Sequence, residues 1–435
     1  MKTFLRRLHE PVGGEPGAWL YRLHATAIVL FGLKTYASAP WDLWIAPGAW
    51  VLHGLCAACA VLWFLGPRPW LLAVIGLLGV RAMVSNHLPD EPLLWFPAVE
   101  WPLFVVIPLC GVVLRSEAGV RGAFQLGSAA ALGFAGLHKL NGDYFDPVVT
   151  CNRLSERLSE WWHLPTAAHA WVTPLVVVVF ELGAPFLLLA APRLGVVFAL
   201  ILLGHFTMIG ATALSLVIAV GVLAFLDADD LAAIRSRPWL VVFGLPGVLA
   251  SAALYRGPWS WPQYGATHGL FAILLAAAVW RLSQAGPGRF RVPREPLLLL
   301  VALGWLVNGL LPYTGLKFQY SFSMLANLRL DDDRHNSFVF PAAVRLTDHD
   351  PYVHVESAAY IDRRGRVRRR DVRSGLYTPE ELRRHRELAE GVGEKLRLRG
   401  TYAGRPVTEA DLDGLPAAPL FQKHLTRGRP QECVH

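Results

Sequence analysis

Long apolar runs separated by short polar stretches make up most of this chain. They fall at approximately 20–38, 47–65, 70–84, 94–114, 123–140, 168–191, 195–226, 238–255, 265–283 and 295–312. Most match the roughly 20 residues that a helix needs to cross a bilayer. The third is short. The seventh is too long for one upright helix and contains Gly204 and Gly210, so it reads either as one tilted helix or as a broken hairpin. From residue 313 the pattern changes. SFVFPAAVRL (337–346) and PYVHVESAAYI (351–361) have strand character, and a turn is expected at Asp362–Gly365. TPEELRRHRELAEGVGEKL reads as a helix capped by Thr378, with Pro379 in its first position and acids ahead of bases. KLRLRGTYAG alternates Leu and Arg, as a half-buried strand does. The pattern predicts an α-helical polytopic membrane bundle of about 9–11 spans with a small C-terminal α/β or β-rich extramembrane domain. The expected boundaries are 1–19 for a cytoplasmic N-terminal segment, 20–312 for the membrane domain and 313–435 for the soluble domain.

Composition sharpens this division. Hydrophobic residues are 54% of the chain and charged residues 17%, against about 25% charged in a soluble domain. More than half of the Lys, Arg, Asp and Glu side chains lie in residues 313–435. The rest of the chain is poor in charge and could not present a water-facing surface of its size, so lipid must be its main solvent.

The net charge of +8 is not a nucleic-acid signal, because many of the arginines sit in short loops where they set topology. Arg6, Arg7, Arg68, Arg115, Arg121, Arg193, Arg235, Arg237, Arg289, Arg291 and Arg294 mark basic segments. The segments 39–46, 85–92 and 257–264 are poor in Lys and Arg. The polar, basic start MKTFLRRLHEPVGGEPGAW suits a cytoplasmic N-terminus and has no cleavable signal pattern. The alternation holds as far as Arg193 and continues only if 195–226 crosses twice. This favours the broken hairpin and turns the C-terminal domain outward from a bacterial inner membrane. Cys56 and Cys59 form a CxxC inside an apolar run, and the simplest reading is two small residues on a membrane helix. The run RRGRVRRR reads as a solvated hairpin edge, with anionic headgroups or an acidic partner as the alternative.

Candidate chemistry lies where polar residues are expensive. An ionisable group inside a membrane segment costs a few kcal/mol or more unless it meets a partner or a cavity. Asn86 and His87 end a short apolar run, and read either as a polar interfacial loop or as a helix end over a cavity. In LGFAGLHKLNGDYFDP (132–147) an apolar helix runs into His138 and Lys139. Lys139 either snorkels to the surface or is held half-buried, where a lysine kept from water gives up its proton more easily and can act as a base. Glu181 in VVVVFELGAPF must be neutral or paired, with Arg22, His24 and Lys34 as possible partners. His205 in LILLGHFTMIG reads either as a helix–helix hydrogen-bonder or as part of a site.

With these residues on the page, the chain resembles the HTTM (horizontally transferred transmembrane) domain, which is shared with vitamin K-dependent gamma-glutamyl carboxylase. The resemblance rests on NH at 86–87, GLHKLNGDYFDP at 136–147, GHF at 204–206 and LPYTGLKFQYSFSMLANLR at 311–329, and it covers most of residues 15–340. It implies that Lys139 matches the lysine that deprotonates reduced vitamin K, and that His87, with Asn86, supports that chemistry. SNH stands here where the family string is NNH. In the implied mechanism, hydroquinone oxygenation generates a strong base that abstracts a glutamyl proton for attack on CO2. The implied cofactor is reduced vitamin K or another quinol. His138, His205 and Glu181 are the candidate cofactor-binding residues, and the implied partner is a secreted peptide or protein. Only about a quarter of the chain follows the last apolar run, with no equivalent of the carboxylases' large extracytoplasmic region. The alternative is a non-catalytic membrane scaffold or maturation partner for a secreted peptide or protein. A transporter would show inverted repeats, and none is visible.

Overall fold

The computed structural model describes residues 117–150, 169–208, 212–254, 260–290, 295–314, 330–331, 334–346, 352–362, 364–369 and 375–416, with isolated positions such as Leu71, Asn152 and Leu154. The four apolar runs before residue 115, the N-terminal segment 1–19, Asn86, His87 and all five cysteines lie outside the described residues or almost wholly so. The chain divides into two compact units. One comprises residues within 1–81, 100–137 and 153–306, and the other residues within 82–99, 138–152 and 307–435.

The first unit is helical. Its described helices are α1 (Glu117–His138, which runs into the second unit), α3 (Val172–Ala190), α4 (Pro192–Met208), α5 (Thr212–Leu223), α6 (Ala228–Arg235), α7 (Gly244–Leu254) and α8 (Ser260–Ala285), with α9 (Pro296–Leu310) leading out of it. The short α2 (Gly142–Phe145) belongs to the second unit. Among the described residues three stretches are long and apolar enough to cross a membrane: Val172–Ala190, Gly265–Ala285 and Pro296–Thr314. Their exposed faces are what lipid would cover. Along α9, Leu299, Leu300, Leu303, Leu306 and Val307 recur on one outward face, while Leu298 and Trp305 are buried. On α3 the inward stripe is Val177, Val178, Glu181, Ala184 and Leu188, at helical spacing.

The run at 195–226 contains two helices, α4 and α5, which pack against each other. The pair returns to its starting end, because Arg193 at the start of α4 bonds to Asp227 and Asp230, just beyond α5. The 12 residues of α5 rise about 18 Å, short of the roughly 30 Å apolar core of a bilayer. Polar side chains join α1 to α5: Gln125 Nε2 donates to the Ala224 carbonyl at 3.0 Å and Ser128 Oγ to the Ile218 carbonyl at 3.3 Å. Both bonds satisfy groups that lipid could not.

The second unit carries an antiparallel sheet. After the two-residue strands β1 (Leu330–Asp331) and β2 (Arg334–His335) come β3 (Val353–Ile361), β4 (Val367–Arg369), β5 (Gly375–Tyr377), α10 (Pro379–Gly391), β6 (Lys395–Tyr402) and β7 (Arg405–Thr408). The strand order is β4-β3-β6-β7, and β5 pairs with β3 beyond the end of β4. On β6, Leu396, Leu398 and Gly400 face inward while Lys395, Arg397 and Arg399 face out, so the alternation expected from sequence appears in the burial pattern. Thr378 accepts the Glu381 amide and Pro379 opens α10. The Arg-rich run includes the edge strand β4.

SFVFPAAVRL is not a strand. Among its residues only Ser337 forms a bridge, and Ala342–Val344 make a 3-10 turn. The Ser337 hydroxyl takes the amides of Val339 and Phe340, and Pro341 has no amide to give. Local bonds of this kind displace a ladder that the Phe and Val content alone would favour.

Candidate functional site

His138 ends α1 and Lys139 follows it, both in the second unit. The bend after them is set by Asn141. Its extended backbone makes it the N-cap of α2, where its Oδ1 accepts the Tyr144 amide at 2.9 Å, and its Nδ2 donates to the His138 carbonyl at 2.7 Å. One amide therefore closes the end of one helix and opens the next. A distant segment completes the joint. Asn336 Nδ2 donates to Asn141 Oδ1 at 3.2 Å, the Gly142 amide donates to the Asn336 carbonyl at 3.0 Å, and the Phe338 amide donates to the Leu140 carbonyl at 2.9 Å.

The joint keeps Lys139 from water. Its residue exposure is 3%, that of Asn141 and His138 is 0%, and that of Asp143 is 6%. The Lys139 amine sits 5.7 Å from the centre of the Tyr144 ring, within cation–π range. The His138 ring is fixed from the other side. Its Nδ1 shares a 3.1 Å hydrogen bond with the Tyr313 hydroxyl, and the Tyr313 ring packs 4.2 Å from Phe340. The cluster thus holds an amine, an imidazole, a phenol and a carboxyl group in a largely dry setting.

The first unit holds a cavity of about 490 Å3, lined chiefly by apolar side chains of α3, α4 and α8, with Gly247 of α7 and two imidazoles, His205 and His268. Their meeting follows from a clamp at one end of the helices. Asp230, only 2% exposed, accepts Arg193 Nε from α4 at 2.9 Å and Arg281 Nε from α8 at 2.5 Å. Burial pushes its carboxyl pKa up, but the hydrogen bonds from Arg281 and Arg193 outweigh that and hold it below 3.8. Arg193 opens α4 and Arg281 nears the end of α8, so these packed helices run antiparallel. From the clamp, His205 lies roughly 18 Å along α4 and His268 roughly 20 Å back along α8. Equal spacing on antiparallel neighbours brings both rings to one level.

Close packing shapes this cavity's wall. A Cβ on Gly247 of α7 would come within 2.6 Å of the His268 carbonyl oxygen. Glycine therefore lets α7 lie directly on α8, as small residues do between membrane helices.

The sequence-predicted residues are divided between these places. His138 and Lys139 are neighbours in the buried joint, and His205 lines the cavity. Glu181 is fully buried on α3 against Gly136 of α1, where an added Cβ would meet its Cβ at 2.9 Å. It is not among the described residues lining the cavity. Asn86 and His87 lie outside the described residues. Sequence reasoning passed over Tyr313, Asn336 and His268. The last carried the same signal as His205, an imidazole within an apolar helix. Among the described residues no group of three or more His, Cys, Asp or Glu side chains is placed to hold a metal ion.

No protein-family model, curated protein or solved structure matches the chain.

Proposed function

We propose that the chain is an HTTM-type integral membrane enzyme, similar to vitamin K-dependent gamma-glutamyl carboxylase, that uses a quinol-like cofactor with Lys139 as base. The observation that carries this reading is the burial of Lys139 beside a fixed His138. An amine at the end of an apolar helix would ordinarily reach for water, and here its surroundings keep it in. An apolar cavity with two imidazoles also fits a hydrophobic molecule carrying hydrogen-bonding oxygens.

When bound, a quinol supplies a weakly acidic hydroxyl and two electrons. Lys139 Nζ is the atom that takes the proton in this reading, and it lies 5.7 Å from the centre of the Tyr144 ring. Tyr313 and Asn141 hold His138 by its ring and its carbonyl, so the imidazole needs little rearrangement during proton transfer. The resemblance assigns Asn86 and His87 the stabilisation of developing charge. In the same reading the chain is a polytopic bundle of about 9–11 spans in a bacterial inner membrane. Its N-terminus is cytoplasmic, its C-terminal domain lies outside, and a secreted peptide or protein is its partner.

The test is purification in native lipid, mass spectrometry for a bound quinone, and quinol oxidation by wild type and Lys139→Ala. Both chains should retain quinone and only the wild type should oxidise quinol. Full activity in Lys139→Ala would remove Lys139 from the mechanism.

A further inference from the structure

We propose that the segment 337–346 is a membrane-surface wedge, seated among the lipids where the span Pro296–Thr314 ends. This goes beyond the enzymatic reading and does not depend on it.

The segment's outward side is apolar and bare. Phe338 is 65% exposed, Leu346 70%, Val339 41% and Val344 37%. Apolar side chains on a loose loop would fold inward, but this segment is fixed at several points. The Phe338 amide donates to the Leu140 carbonyl at 2.9 Å, and the Ser337 hydroxyl holds the amides of Val339 and Phe340. The Phe340 ring packs against Tyr313 at a tilt, and the 3-10 turn Ala342–Val344 is closed by the Val344 and Arg345 amides. The segment therefore presents its apolar side chains outward on a fixed backbone.

What covers them follows from the last bond. The Leu346 amide donates to the Thr314 carbonyl at 2.9 Å, and Thr314 is the final residue of the candidate span. One hydrogen bond therefore sets Leu346 at the level where that helix leaves the apolar layer. An apolar face there meets lipid headgroups and the first acyl methylenes, where interfacial segments bury their apolar side. The wedge's inner surface carries Phe340, which packs on the tyrosine bonded to His138. Lipid contact outside would thus steady the joint inside.

The test uses the full chain in phosphatidylethanolamine–phosphatidylglycerol liposomes, with the photoreactive residue p-benzoylphenylalanine replacing Phe338, Leu346 or, as the reference, Val392. Val392 is 72% exposed but lies beyond α10, with no bond to a span end. Irradiation should give phospholipid adducts at 338 and 346 at severalfold the yield at 392, read by mass spectrometry. Replacement at Val339 supplies a further position should either variant fail to fold. Adduct yields at 338 and 346 no higher than at 392 would overturn the proposal. So would capture of a second copy or another protein there in place of lipid.

Discussion

Replacing Asp230 by asparagine keeps its size and removes its charge, and the cost follows from its contacts. The carboxylate takes one guanidinium at 2.9 and 3.1 Å, a second at 2.5 Å, and the Asp227 amide at 3.2 Å. A hydrogen bond to a charged group contributes about 1.5–3 kcal/mol; asparagine leaves the two arginines at Oδ1 with an uncharged acceptor and sets an amide NH2 where Oδ2 accepts Arg193 and the Asp227 amide. The arginine side chains are 14% and 18% exposed, so water recovers part of the loss. We expect Asp230→Asn to lower the unfolding free energy by about 2–3 kcal/mol. Asp227→Asn is the reference. Its side chain is 54% exposed at 3.4 Å from Arg193, and asparagine caps α6 as well as aspartate does, so the loss should stay below about 1 kcal/mol. SDS titration in mixed micelles measures both. The pH dependence has a definite sign. Since the folded pKa lies below the ordinary 3.8, the wild type holds this stabilisation above that value and loses it as pH falls through the folded pKa. Asp230→Asn should lack that acid-labile component. Because the clamp joins the helices bearing His205 and His268, retention of an apolar ligand should fall along with stability. Equal losses for the two variants, or a loss for Asp230→Asn under about 0.5 kcal/mol, would refute the clamp.

Other substitutions test the remaining contacts. Gly247→Ala drives a methyl group into the backbone of His268 and should cost about 1–3 kcal/mol. Gly204→Ala, with nothing within 4 Å, should be neutral or stabilising by up to about 1 kcal/mol. Micelle unfolding distinguishes the two. Tyr313→Phe removes the hydroxyl on His138. It should cost about 0.5–1.5 kcal/mol and, in the proposed reaction, lower kcat while leaving KM unchanged. Asn141→Ala loses both helix-end bonds, at about 1–3 kcal/mol, whereas Asn141→Asp keeps the cap. Hydrogen exchange at the Tyr144 amide should quicken only in the alanine variant.

What was legible in the sequence was local or repetitive. Thr378 and Pro379 announce α10 because a cap acts within one turn. Leu396 and Leu398 announce β6 because a strand alternates at every second residue. The apolar runs at 168–191, 265–283 and 295–312 announce helices because lipid imposes a strong, simple pattern. Lys139 stood out because a charge there is costly. Its surroundings could not be read, because Tyr313 lies 175 residues from His138 and Asn336 lies 195 from Asn141. No periodicity links such positions. SFVFPAAVRL misled for a different reason: its Phe and Val content promises a strand, and a serine hydroxyl and a proline override it.

The bond from Asn336 to Asn141 also fixes an order of events. α1 and Lys139 leave the ribosome well before residue 336 is made. A chain halted just after Thr314 would already contain all three candidate spans and every residue of the cavity wall. It would still lack Asn336 and Phe338, whose bonds close the bend after Lys139. Completion of this joint is therefore a late step in the protein's synthesis, and Lys139 remains incompletely enclosed until the C-terminal segment arrives.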